Sequence, residues 1–295
     1  MYKEIDSNKR RTILLFGAFL VFVIVVGFFL SWYFNNTFIL IIAIIIAATQ
    51  SLVSYYYSDT IALAVSRAKE APRKDFIELH RLVENLSITA GLPKPKIYVI
   101  NDPSPNAFAT GRDPKNASIA VTTGLLEKLN KTELQGVIAH EMSHIGNYDI
   151  RLMTVVVILV GVIALMTDFF LRWSFFGGFG RRDSNEGGGQ AQLIFLIIAI
   201  LLAILAPLGA MMIQLAISRK REFLADASGV LLTRYPEGLA SALEKISADP
   251  TPTKEATRAT AHLFIADPYK KKVSSLFMTH PPIEERIKKL RAMIS

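Results

Sequence analysis

Four long apolar runs constrain this chain more than any other feature. They cover residues 12–34, 37–57, 152–171 and 191–217. Each matches or exceeds the ~20 residues a helix needs to cross the hydrocarbon of a bilayer. A backbone in lipid has no water to bond, so such a run spans as a helix. The first run follows Lys9-Arg10-Arg11, as a signal peptide would. It is too long for one, and Ser31-Trp32-Tyr33-Phe34 follows it instead of a small-residue cleavage site. Only Asn35-Asn36 separate it from the second run, which ends in Tyr55-Tyr56-Tyr57. The two predict a helical hairpin with aromatic residues at the interfaces. Runs three and four predict a second hairpin around a Gly-rich polar loop at 174–190, with a kink at Pro207-Leu208-Gly209. A buried hairpin of a soluble domain is the rival reading, and their length favours spanning.

Composition agrees. Hydrophobic residues make up 51% of the 295, more than an ordinary soluble domain carries, and enough chain remains for a soluble part. The net charge is +8. A basic balance can serve nucleic acid, but no nucleic-acid-binding motif is present. The basic residues instead flank the apolar runs. Lys3, Lys9, Arg10 and Arg11 precede the first. Arg67, Lys69, Arg73 and Lys74 follow the second. Arg219, Lys220 and Arg221 follow the fourth. In a four-span topology these flanks share one side, which the positive-inside rule makes cytosolic. Arg172, Arg181 and Arg182 dissent, three charges against eleven. The chain has no Cys, so any metal site must use His and carboxylates.

The layout divides the chain into a transmembrane hairpin at 1–57, a soluble part at 58–151, a second hairpin at 152–217 and a second soluble part at 218–295. In the first soluble part, helices are expected at 59–70 and 75–90, the latter closed by Gly91. Short β-type runs follow at 96–101, 107–110 and 118–122, predicting a small antiparallel sheet. Asn130-x-x-Glu133 reads as a capping box. In the second part, helices are expected at 236–248, 255–265 and 282–294.

The helix that Asn130 opens carries His140-Glu141-x-x-His144. Residues four apart share a helix face, so two imidazoles can supply two ligands of a catalytic zinc. Glu141, about 100° further round, can reach an attacking water as general base. A third ligand is needed, and His80, His262, His280 and the carboxylates are the candidates. Asp149 lies close in sequence but would have to fold back on its own helix. Glu222 and Asp226 stand four apart just after the fourth run. A closed second hairpin brings Glu222 near His144. One of the two acids could bind zinc while the other orients a ligand imidazole.

With this motif pair and the four runs so placed, the chain resembles the HtpX family of integral-membrane zinc metalloproteases, relatives of the CAAX-prenyl endopeptidases. Asn106-Ala107-Phe108-Ala109, Ser218-Arg219-x-Arg221-Glu222 and His280-Pro281-Pro282-x-x-x-Arg286 fit as well. The resemblance implies a mainly α membrane protein with four spans and a cytosolic α+β zincin-type (gluzincin) catalytic domain. It implies one Zn2+ per chain on His140, His144 and Glu222, with Asp226 behind a ligand. It makes residues 106–109 an edge that pairs with substrate and puts His280 near the active site. Arg219 and Arg286 become site candidates. It further implies quality control of membrane and unfolded proteins in a bacterial inner membrane, with both termini cytosolic, a place in the stress response and other membrane quality-control proteases as candidate partners.

Blander readings stand beside these. Asn106 after Pro105 also suits a turn, His280 a helix cap, Arg219 an interface anchor and Arg286 an ordinary ion pair. Two rival functions remain: a narrowly specific processing protease, and a non-catalytic scaffold with a structural zinc. A structural site would have no use for Glu141.

Overall fold

The computed structural model describes residues 2–156, 159, 168, 219–257, 260–269 and 281–293. Two long helices open the chain, α1 (Tyr2–Tyr33) and α2 (Thr37–Val65). Asn36 caps α2 by accepting from the Phe38 N–H, and Asn35 takes a left-handed φ of 45° to close the turn. Within them, Asp6–Trp32 and Thr37–Val65 are long and apolar enough to cross a membrane. Ile13, Leu14, Phe29, Trp32, Phe38 and Ile45 stand exposed along the pair. That much apolar surface is what lipid covers and water does not tolerate. The expected third and fourth spans lie outside the described residues except for 152–156, 159 and 168, as does the loop at 174–190. Residues 149–156 are helical (α6), and Val155 and Leu159 pack against Phe19, Val23 and Ala47 of the first pair.

Helix α2 departs from expectation. It runs on to Val65, so 59–70 is not a separate helix, and Lys69–Glu70 form a short strand, β1. No Pro or Gly interrupts residues 58–65, so the polar Ser58-Asp59-Thr60 changes the helix's surroundings but not its course. Ala62 and Leu63 at its end are buried against Ile100, Phe108 and Ala120 of the sheet. The amino-terminal hairpin is therefore planted on the soluble domain.

The sheet is mixed, not antiparallel, and has four strands in the order β1-β2-β4-β3. Strand β2 (Lys96–Ile100) runs parallel to β4 (Asn116–Thr122) in the register Lys96↔Ser118 to Ile100↔Thr122, while β3 (Ala107–Asp113) and β1 are antiparallel to their neighbours. The loop between β2 and β3 lacks tight-turn chemistry. It is a wide Pro-containing arch, tied by Asp102, which accepts from the Ser104, Lys254 and Glu255 N–H groups. Strand β3 thus lands one place away, and β4 turns back into the gap. This leaves β3 at the sheet's edge. Ile97, Ala107, Ala109, Ile119 and Val121 line one face, against α3 (Ile77–Ala90) and the motif helix.

The motif helix, α5 (Lys131–Gly146), begins at the expected capping box: Asn130 Oδ1 accepts from the Thr132 and Glu133 N–H groups, and Glu133 accepts from Asn130 N. Buried Glu133 also takes bonds from Ser241 Oγ at 2.7 Å and Lys245 Nζ at 2.8 Å. The start of α5 is thereby fastened to α8 (Pro236–Ala248). Helix α7 (Arg219–Thr233) and α9 (Ile283–Arg291) complete the domain around α5. No helix fills 255–265; among the described residues there is only a 3-10 turn at Ala261–Leu263. The backbone there is committed elsewhere, with Ile265 N–H donating to Ala107 O, Thr253 N–H to Pro268 O, and Thr257 and Thr260 bonding each other.

Asn130→Ala should lower the stability of the metal-free protein by about 1 kcal/mol, the usual worth of an N-cap. Thermal unfolding in detergent checks this, and zinc stoichiometry should stay unchanged because the ligands lie near the helix's other end.

Candidate metal centre

Helix α5 is buried almost all round, with Val137, Ile138, Met142 and Ile145 in the core. Its polar face belongs to His140, Glu141 and His144, all at most 5% exposed. One turn of helix brings His140 Nε2 within 3.1 Å of His144 Nε2. Helix α7 crosses this face and delivers Glu222. Its Oε2 lies 3.7 Å from His140 Nε2 and its Oε1 3.5 Å from His144 Nε2. The crossing is close because Gly229 sits on the same face of α7 as Glu222 and Asp226. A Cβ there would stand 3.1 Å from His140 N and 3.3 Å from Ala139 C. Any side chain would push α7, and Glu222 with it, away from the histidines.

Each imidazole is oriented from behind. Asp226 Oδ1 lies 2.9 Å from His140 Nδ1, and Asp149 Oδ2 lies 3.0 Å from His144 Nδ1. Carboxylates only accept, so both rings donate from Nδ1 and turn Nε2 lone pairs inward. Two lone pairs 3.1 Å apart, faced by a carboxylate, repel one another unless a proton or a metal cation lies between. The atoms of His140, His144 and Glu222 all fall within 4.8 Å of one another. Ligands on a tetrahedral zinc at its usual bond lengths are about 3.3 Å apart. Separations of 3.1, 3.5 and 3.7 Å and an N,N,O donor set therefore fit zinc.

Charge balance points the same way. Four carboxylates, Glu141, Asp149, Glu222 and Asp226, are buried beside two guanidiniums, Arg221 and Arg286. If all are ionised the balance is 2 − 4 = −2, which one divalent cation neutralises. Burial works against ionising Asp226, but Arg286 and the His140 N–H outweigh it and hold the carboxyl down at about 2. Arg286 grips Asp226 through Nε at 2.9 Å and Nη2 at 2.7 Å. Burial also resists charge on His144, yet Asp149, Glu222 and Glu141 raise it to about 9, so this point in the protein favours a positive charge. Desolvation pushes Glu141 up to about 7, against the pull of His144 and the Ala109 N–H that faces its carboxylate.

The structure brings together His140, Glu141, His144, Glu222, Asp226 and Arg286. Strand β3 lies beside them, with Ala107, Phe108 and Ala109 buried. Its outer edge is already engaged: Ala107 O accepts from Ile265 N–H at 2.9 Å. Asn106 points inward, its Nδ2 donating to Thr253 Oγ1 at 3.2 Å and Ala266 O at 3.1 Å, and so it braces the strand against the 253–266 segment. Arg219 stands exposed at the first residue of α7, and His280 lies outside the described residues. Sequence reasoning passed over Asp149 as an orienting group, read Arg221 only within the Ser218-to-Glu222 motif and as an interface flank, and missed Asn8. The signal for Asp149 was present, an acid five residues past a ligand. A helix break at Asn147-Tyr148 turns it back, Tyr148 taking a left-handed φ of 60°. Nothing in the sequence marked Asn8.

Asp226→Asn should weaken zinc binding by roughly 10–100-fold, the usual cost of losing a carboxylate behind a ligand histidine. Chelator competition on the purified protein measures it.

Residues 73–294 match the model of peptidase family M48. The chain is 51% identical to a protease HtpX homolog of Caldanaerobacter subterraneus, over 99% of this chain and 98% of that one. It is 47% identical to the homolog of Dictyoglomus thermophilum, over 99% and 94%. Among solved structures, its fold resembles S. mikatae Ste24p with a TM-score of 0.51 at 21% identity, over 98% of this chain and 67% of that one. The chain belongs to peptidase family M48, among the HtpX membrane metalloproteases.

Proposed function

We propose that this protein is a zinc endopeptidase that cleaves misfolded or damaged membrane proteins next to the bilayer. The observation that carries the reading is the convergence of two carboxylate-oriented Nε2 atoms and Glu222 beside Glu141. A zinc ion there supplies Lewis acidity, polarising the scissile carbonyl and making the attacking water a stronger acid. His140, His144 and Glu222 hold it, and Asp226 and Asp149 keep the two rings in the binding tautomer. Glu141 takes the proton of the attacking water and returns it to the leaving amine.

Substrate pairing follows from β3. Ala107 O is occupied by Ile265, so an extended substrate registers toward Ala109, whose N–H faces Glu141. Main-chain bonding at an edge strand gives affinity with little sequence specificity, as quality control requires. Asn106 supports that strand instead of touching substrate, and His280 is kept as a candidate contact at the active site.

The membrane placement has its own support. Asn8 of α1 packs beside Asp149 and lies 34 − 8 = 26 residues before the hairpin turn. That is about 39 Å of helix, against about 30 Å of hydrocarbon. The metal centre thus lies just beyond the interface, level with Lys9, Arg10 and Arg11. These basic residues support a cytosolic placement of that side, and the bacterial HtpX relatives support a bacterial inner membrane. We read residues 152–171 and 191–217 as two further spans that split the catalytic domain.

Glu141→Gln should retain zinc and lose activity by two to four orders of magnitude, measured as cleavage of unfolded casein. His144→Ala should lose the zinc. Retained proteolysis in Glu141→Gln would overturn the mechanism. Mapping cleavage sites in casein and in a detergent-solubilised membrane protein tests the substrate class. Many scattered sites are expected, and a single sharp site would mark a processing enzyme.

A further inference from the structure

The metal-site reading leaves one buried group unused. Asn8 belongs to the first membrane helix, yet it is 1% exposed and reaches behind the metal centre. Its Nδ2 donates to Asp149 Oδ1 at 2.7 Å and to Asn147 O at 3.1 Å. Its Oδ1 accepts from Arg221 Nη1 at 2.9 Å. The amide's orientation is dictated by its partners, because Arg221 can only donate while Asn147 O and Asp149 can only accept. Asp149 in turn takes the His144 Nδ1–H on its other oxygen. Arg221 immediately precedes Glu222.

We propose that Asn8 is a positioning residue of the active site, through which the amino-terminal membrane helix sets the geometry of the metal ligands. One amide joins both ligand-bearing segments. Through Asp149 it fixes the His144 ring, and through Arg221 it fixes the first turn of α7, which carries Glu222. Each of its three bonds is needed. Without the donated pair, Asp149 Oδ1 and Asn147 O lose partners in a dry site. Without the acceptor, Arg221 Nη1 loses the bond that fixes its guanidinium, whose Nε lies 3.9 Å from Asp149 Oδ1. No other residue type supplies two donors and an acceptor on so short a stem. The amino-terminal helix is therefore more than an anchor: a change at residue 8 reaches a metal ligand more than 130 positions away.

This inference rests on His144 and Glu222 holding zinc, and the test separates the two. Full-length protein in detergent is titrated with zinc against a competing chelator. Wild type, Asn8→Ala, Asp149→Ala and the double variant are compared, with thermal unfolding of each metal-free form as the folding control. Asn8→Ala is expected to bind zinc about tenfold more weakly, in the range for groups behind a ligand histidine. Its kcat should fall and its KM for a casein peptide should hold. In the Asp149→Ala background the further loss should be smaller than in wild type, because the route through Asp149 is already gone and only the one through Arg221 remains. Arg10→Ala, an exposed neighbour on α1, should leave zinc affinity unchanged. Wild-type zinc affinity in Asn8→Ala would overturn the proposal, as would additive losses in the double variant. If Asn8→Ala does not fold, Asn8→Ser takes its place in the same cycle. A wild type that binds no zinc would instead defeat the metal assignment itself.

Discussion

The molecule turns on one electrostatic problem. Two imidazoles one helical turn apart are made to point their Nε2 lone pairs at each other across 3.1 Å, inside a protein and beside a carboxylate. Nothing about the helix alone requires that orientation. It is imposed by Asp226 and Asp149, which demand the hydrogen on the far nitrogen of each ring. Burying those acids costs several kcal/mol per ion. The cost is offset only because Arg286 closes on Asp226 with two bonds and Asn8 and His144 close on Asp149. A proton on one ring or a metal cation between them relieves the repulsion, and the surrounding bonds hold the acids in place.

That architecture is a helix enclosed on every side. The sheet and α3 cover one flank of α5, α7 and α8 cover the others, and α9 packs on α7 and α8 and reaches in through Arg286. Such packing does two things. It removes water, which strengthens each interaction in the site and lifts the pKa of Glu141. It also ties the metal centre to segments remote in sequence. Arg286 from the last helix bonds Asp226 and also the Ile265 carbonyl. Ile265 bonds the edge of β3. The edge strand and the carboxyl-terminal helix are therefore joined to Asp226 by one chain of bonds.

Much of this was legible in the residues themselves. The apolar runs and Asn35-Asn36 named the first hairpin. Asn130 and Glu133 named the start of α5, and the four-residue spacing named its face. Misreadings came where local pattern met competing partners. Residues 59–65 look like a new helix because the polarity changes, but a helix without a breaker continues. Residues 255–265 have helical composition, yet the Glu255 and Ile265 N–H groups bond Asp102 and Ala107, and Thr257 and Thr260 bond each other. Strands β2 and β3 are neighbours in sequence, but the arch at Asp102 carries β3 past the position that β4 then fills.

The sequence by itself determined the chemistry. His140, Glu141 and His144 need only a helix to share a face, and no cysteine leaves nitrogen and oxygen as the ligands. Tertiary structure decided which carboxylate serves which ring, which guanidinium neutralises it, and that the first membrane helix takes part. Those choices are made by contacts between residues 60 apart at Asp226–Arg286 and 213 apart at Asn8–Arg221. No periodicity relates such positions. They meet only because the fold brings side chains of α1, α5, α7 and α9 into one buried space, and polar groups enclosed there must find one another.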